Sequence, residues 1–295
     1  MQSVINNKPG KRKQRKNGRL AWMIGVSIIL GAIIFSALSF IEPKVEAADP
    51  SKDQIMLWRL VRETNSLPAT QTVSVQRIGI TVLANLVKVQ NTSLSESWIF
   101  NLDTRRFWIL QYRAQVFAEG SFDDLKKYYE ARDNDERARL EGEKKNLNSL
   151  DEKSRKQRQT FIEQRLEFIQ VEPKRLKALP TGGETQTVAG YTAKPVAVKL
   201  GKEILETFWV TDNLPMPTGL RRFLDMIAEI DPTTWKTEAA LSKIALRSES
   251  DFGGIQRNWE IQNVIPNGVS SNEFLIPANF SKVEFPGGLA PNPHQ

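Results

Sequence analysis

Glu96-Ser-Trp-Ile-Phe-Asn-Leu-Asp-Thr-Arg-Arg-Phe-Trp-Ile-Leu-Gln-Tyr112 is the stretch on which the fold turns. Successive side chains of a strand point to opposite faces of a sheet. Trp98, Phe100 and Leu102 therefore share one face of a strand over Glu96–Leu102. Asp103-Thr104 breaks the pattern as a hairpin would, and a second strand follows over Arg105–Val116. There Trp108, Leu110 and Tyr112 share one face, and Phe107 and Ile109 occupy the other. Large apolar residues on both faces predict that something covers each side of the sheet at this point.

Upstream, Gln71–Thr81 and Val82–Gln90 are rich in Val, Ile and Thr and read as two more strands. Asp53–Leu67 reads as a short helix capped by Asp53, because Ile55, Leu57, Trp58, Leu60 and Val61 fit a helical spacing. Downstream, residues 121–172 hold 13 acidic and 12 basic residues, a highly charged but nearly neutral insertion. Ser121 with Asp124, and Ser149 with Glu152, read as two helix starts. The insertion is expected to be a helical hairpin. Its apolar ends, Phe122–Tyr129 and Phe161–Ile169, should dock on the sheet, and its tip around Gly142–Leu150 should stand in solvent. Strands resume after Pro180-Thr-Gly-Gly: Gln186–Val188, Thr192–Leu200 and Glu203–Thr211 form a meander turning near Gly190 and Gly201. Leu220, Phe223, Leu224 and Ile227 mark one face of a helix from Thr218 to about Ile230, and Asp231-Pro232 starts another. Ile244–Phe252, Asn258–Ile265 and Glu273–Ile276 read as closing strands, and residues 286–295 as a disordered tail.

The N-terminus determines place. Lys8, Lys11, Arg12, Lys13, Arg15, Lys16 and Arg19 precede an apolar run, residues 20–41, that holds no charge. A helix of that length spans roughly 33 Å, enough for a bilayer core of about 30 Å. Basic residues before an apolar run keep their end in the cytoplasm. Two readings fit: a permanent anchor, or a secretory signal cleaved near Ala47, where Val45-Glu-Ala47 precedes Ala48. Both place the rest of the chain at the bacterial cell envelope, facing the periplasm, with residues 42–70 as a linker and 71–285 as one domain.

Composition removes several functions. Taking the seven tail cations from 41 basic residues leaves 34, against 34 acidic ones. A neutral domain lacks the basic face that nucleic acid requires. There is no cysteine and one histidine, His294, in the terminal segment. Disulfides, thiolate or imidazole zinc sites and a histidine-dependent triad are thereby excluded. Asp123-Asp124, Asp133 with Asp135, and Asp151-Glu152 are paired carboxylates, but all lie in the charged insertion and read as a solvated face. No catalytic residue, metal site or cofactor is expected, and the chain is not read as an enzyme.

Two segments carry a family resemblance. Thr187-Val-Ala-Gly-Tyr-Thr-Ala-Lys-Pro-Val-Ala-Val with Glu206-Thr-Phe-Trp-Val-Thr-Asp resembles a β-meander signature of an uncharacterised bacterial envelope family. That family is related to the periplasmic lipoprotein-localisation carriers. Phe274-Leu-Ile-Pro-Ala-Asn-Phe-Ser-Lys-Val resembles its C-terminal ending, and the likeness spans most of residues 71–285. It implies an α+β fold: a strongly curved antiparallel sheet, an open half-barrel, with helices across the concave side and the charged hairpin inserted. The carriers use that hollow for lipid acyl chains. The expected ligand is accordingly a lipid or another apolar molecule, and the residues to hold it are Trp98, Phe100, Trp108, Leu110, Tyr112, Trp209 and Trp259. The alternative is a structural or interaction module in which the charged hairpin touches another envelope protein.

Overall fold

Alternating strand sequences joined by tight turns build one large sheet. The computed structural model describes residues 53–65, 72–252, 255–287 and 289, all within the compact unit 43–295. The expectations for the basic tail and the apolar run 20–41 lie outside the described residues, as do 288 and 290–295 of the expected disordered tail. The start of that tail is instead ordered, with a turn at Pro286 that packs Leu289 on the core. No helix among the described residues is long and apolar enough to cross a membrane.

The first six strands run consecutively: β1 (Gln54–Asn65), β2 (Thr72–Leu83), β3 (Leu86–Asn91), β4 (Glu96–Asn101), β5 (Arg106–Gln111) and β6 (Val116–Ser121). Helices α1 (Phe122–Lys145) and α2 (Glu152–Gln170) form the inserted hairpin. Then come β7 (Lys177–Pro180), β8 (Gln186–Val188), β9 (Tyr191–Leu200) and β10 (Glu203–Thr211). Helices α3 (Thr218–Ile230) and α4 (Pro232–Ala239) precede β11 (Ala245–Phe252), β12 (Ile255–Ile265) and the short β13 (Ser281–Lys282). The strand order is β13-β6-β5-β4-β3-β2-β1-β12-β11-β10-β9-β7, with β8 beside β9. All pairs are antiparallel except β13 with β6, and the sheet stays open. Two meanders thus share one sheet, joined where β1 pairs with β12.

Four expectations change. Asp53–Leu67 is not a helix in a linker but the central strand β1. Ile55, Leu57 and Val61 are buried on one face of β1, and Met56, Trp58 and Leu60 lie half-buried on the other, so its apolar residues form a run that fits either period. The register shift at Trp58/Arg59 is a bulge at Gln262 of β12 and leaves the alternation of β1 intact. The stretch Arg105–Val116 is not one strand. It is β5, a turn with Gln115 at φ 52°, and the start of β6. The stretch 86–121 is a regular repeat of six-residue strands and four-residue turns, with Ser95, Arg105 and Gln115 all at positive φ. In the first two turns the Oδ1 of Asn91 and of Asn101 accepts two backbone N–H groups each. Gln111 takes that place in the third, so no Asn marks it in the sequence. Glu273–Ile276 is not a strand: Ser271–Phe274 is a 3₁₀ turn capped by Ser270. A fourth difference is β7, four mostly exposed residues whose sequence carries no strand alternation.

The hairpin forms as expected, but it is held differently. Ser121 and Asp124 make the capping box of α1, whereas α2 is capped by Asp151, whose side chain accepts from the Ser154 N–H. Phe122 and Leu125 dock in the main core. Phe161, Ile162 and Ile169 do not reach the sheet. They pack with Leu140 and Leu147 in a separate cluster between the two helices. Salt bridges between the helices flank it: Arg158 with Glu143, Arg165 with Glu136 at 2.8 Å, and Lys144 with Glu163 at 3.0 Å. The end of α2 is fastened by Lys236 of α4, whose ammonium donates to the carbonyls of Phe168 and Val171.

Each face of the sheet has its cover, as the sequence around Trp98 and Trp108 predicts. Ile80, Val82, Val87, Phe100, Phe107 and Ile109 lie on the front face, in the core with α1, α3 and α4. Leu86, Ile99 and Leu110 lie on the back, under Val269, Phe274 and Phe280 of the C-terminal segment. That segment then pairs with β6 at the sheet edge and returns to the front, where Phe285 meets Phe107 at 4.9 Å and Tyr128 at 5.5 Å.

Candidate functional site

The front face and its helices do not close on each other completely. Ile78 and Val89 form the floor with Trp98, Phe100 and Ile109. Phe223 and Ile227 of α3 and Trp235 of α4 form one wall, Tyr128 and Tyr129 of α1 another, and Phe285, Pro286 and Leu289 a third. They leave a hollow of about 530 Å³. The floor follows from strand alternation: Ile78, Val89, Trp98 and Ile109 all take the inward phase of their strands. The walls follow from helical spacing, since Phe223 and Ile227 are four residues apart.

Its aromatic rings form one connected set. Trp98 stacks near Phe100 at 6.2 Å, Phe107 at 6.0 Å and Tyr129 at 6.5 Å, and Phe100 leads to Phe223 at 5.1 Å and on to Trp235 at 5.5 Å. The Trp98 indole N–H donates to Glu96 at 2.7 Å, which fixes the ring. Polar groups gather at one side. Arg132 donates to Asp231 at 2.8 Å and to Asp133 at 2.9 Å, and lies over the Tyr129 ring. Burial disfavours the Arg132 charge, but Asp231 and Asp133 outweigh it and raise its pKa. Burial pushes the Tyr129 phenol well above its ordinary value, so it stays neutral.

A narrower hollow of about 70 Å³ continues from the first, sharing Ile78, Val89, Thr234, Trp235 and Arg257. Arg59 lies there between the rings of Trp235 and Trp259, 5.4 and 4.5 Å from their centroids, and donates to Glu238 at 3.1 Å. Glu206 accepts from Thr237 at 2.7 Å and from Ser248. Burial raises the Glu206 carboxyl above the usual range despite those two hydroxyls. A further depression of about 600 Å³ lies beside α3, bordered by Glu172, Lys174, Asp225 and Glu229, with no aromatic wall.

The seven expected ligand residues do not meet in one place. Trp98 and Phe100 line the front hollow, and Trp259 its narrow continuation. Trp209 is buried under the Arg247 guanidinium and lines neither. Trp108, Leu110 and Tyr112 lie on the back of the sheet. There Tyr112 meets Phe280 at 5.5 Å and Trp108 donates to Glu119 at 3.0 Å. One-residue alternation separates Trp98 from Trp108, because Ile99 and Trp108 are cross-strand partners. Sequence reading missed Tyr129, Trp235, Phe285 and Arg257. Trp235 sits in a short helix of weak pattern, and Arg257 precedes the strand start expected at Asn258.

No protein-family model matches this sequence, and no curated protein matches it. Solved structures similar to the chain include an uncharacterised conserved protein from Thermus thermophilus, 7% identical, with a TM-score of 0.37 over 79% of this chain and 91% of that one. They include PNGF-II, 11% identical, with a TM-score of 0.33 over 79% of this chain and 31% of that one. They also include a LolA superfamily protein from Nitrosomonas europaea, 7% identical, with a TM-score of 0.27 over 76% of this chain and 90% of that one. At these scores the likenesses carry no argument about function.

Proposed function

We propose that this domain binds a lipid or another apolar molecule in the front hollow, without catalysis, at the bacterial cell envelope. One observation carries the reading: about 530 Å³ stays unfilled within a lining that is mostly aromatic and aliphatic, with Glu96, Arg132, Asp231 and Arg257 among its polar members. Protein interiors otherwise pack at crystal-like density, and ligand pockets run at roughly 300–1,000 Å³ with mostly apolar linings. On this reading the sheet is a curved half-barrel and its helix-covered face the concave one. The charged hairpin gains no comparable support as a docking surface, because Glu136, Glu143 and Glu163 already pair with Arg165, Arg158 and Lys144 across the hairpin.

Native mass spectrometry of membrane-extracted protein, set against the delipidated chain, tests the binding. A discrete added mass that delipidation removes is expected; identical spectra would overturn the reading. Place is tested separately. The seven cations before residue 20, and Lys44 alone among Glu42, Glu46 and Asp49 after residue 41, orient the domain outward. Protease added to spheroplasts should digest the domain while cytoplasmic markers survive. A protected domain would reverse that topology.

A further inference from the structure

We propose that the ligand is a single-chain amphiphile with an anionic oxyacid head group, and that Arg257 receives that head. The inference rests on the reading of the hollow as an apolar ligand site. Arg257 borders both the front hollow and its narrow continuation, where the two meet. It is unlike the other cations there. Arg59 is paired with Glu238, and Arg132 with Asp231 and Asp133. Arg257 makes no ion pair among the described residues, and that sets it apart; its Nε is buried with no hydrogen-bond partner, as is the Nε of Arg59.

Glu63 stands opposite Arg257 in the β1–β12 ladder but forms no ion pair with it among the described residues, and both oxygens of Glu206, whose carboxyl also feels the Arg257 charge, already accept hydroxyls from Ser248 and Thr237. The partly buried Arg257 has no ion pair among the described residues, because Glu238 beside it is taken by Arg59 and burial favours the neutral form of Glu206, so a ligand that supplies an anion gains a charge-assisted contact there. The planar fork of an arginine suits two oxygens of a carboxylate or a phosphate. A purely apolar ligand would leave it unmatched. An acyl chain against Trp98, Phe100 and Phe223, with its head at Arg257, satisfies both parts of the site.

The test titrates the delipidated full chain in a maltoside detergent, whose head group is uncharged, with dodecanoate, dodecyl phosphate and dodecanol, following tryptophan fluorescence with empty micelles as the blank. One or both anions should bind at least about tenfold tighter than dodecanol, a charge-assisted hydrogen bond being worth that much. Which anion leads separates a carboxylate head from a phosphate one. In Arg257→Met the preference should fall to within about threefold, with dodecanol binding retained as the check on folding. Arg257→Lys should recover part of it. Equal binding of all three by the native chain, or an unchanged preference in Arg257→Met, would overturn the role of Arg257 and leave the apolar site standing. If none of the three bound, the apolar site itself would fall, and this inference with it.

Discussion

Two single residues show how tightly the helices are set on the sheet. Gly219 opens α3 against the turn between β2 and β3. A Cβ there would come 1.9 Å from the Ala84 carbonyl oxygen, a backbone atom that cannot swing away. Helix propensity alone predicts that Gly219→Ala stabilises by up to about 1 kcal/mol. The close approach predicts the opposite, a loss of about 1–3 kcal/mol in urea denaturation, because α3 must lift. A stabilised variant would show that the helix rests less closely on the turn. Lys236 makes a pH-dependent case. Desolvation, then repulsion from Arg165, lowers its pKa from 10.5 to about 8. Below pH 8 both folded and unfolded chains carry the proton. Between about 8 and 10.5 the unfolded chain keeps a proton that the folded chain has lost, so stability rises with pH across that window. The stability difference between the native chain and Lys236→Met should therefore grow from pH 7 to pH 10. A flat difference would mean that the carbonyls of Phe168 and Val171 hold the ammonium charged throughout. Neither residue was legible in the sequence, since a close approach and a buried cation depend on partners 135 and 68 positions away.

At the scale of elements, more was legible. The capping box at Ser121, the α3 stripe and the β8–β9–β10 meander carry local signals, and the structure reproduces them. What the sequence did not reveal was the partner of each apolar stripe. Phe161 and Ile162 fit a sheet-docked helix and a self-packed hairpin equally well, and the second arrangement is the one found. The consequence is specific. Removing a buried Phe or Ile side chain costs about 2–5 kcal/mol, whereas an exposed ion pair is worth about 0–1 kcal/mol. Replacing Phe161 and Ile162 with Ser should loosen the hairpin, so that amide hydrogens of α2 exchange quickly while those of β2 to β5 stay protected. Lys144→Glu and Lys145→Glu should leave both patterns nearly unchanged. Should the Phe161 and Ile162 variants deprotect the sheet to the same degree as α2, the hairpin would be part of the main core and not a cluster of its own.

Across the whole molecule, the sheet depends on a pairing that no local signal announces. β1 and β12 lie almost 200 positions apart, with Val61 opposite Trp259, yet among the described residues their ladder is the one strand pairing between the two meanders. The same pairing positions the candidate site, because Arg59 of β1 passes between Trp235 and Trp259 and reaches Glu238. This is why reading 42–70 as a linker mattered: it put the keystone of the sheet outside the domain. Its hydrophobic pattern was visible, but with apolar Met56, Trp58 and Leu60 on the half-buried face and Arg59 on the buried one the polar alternation that would identify a strand is missing. A chain beginning at residue 66 would expose the full edges of β2 and β12 and leave Trp259 without its partner. Unpaired edges of that length promote association, and the core would lose Ile55, Leu57 and Val61. Such a chain should aggregate or unfold without a cooperative transition, whereas one beginning at residue 43 should melt as a single unit. A cooperative melt of the shorter chain within a few degrees of the longer one would mean that the two meanders fold and hold together without β1.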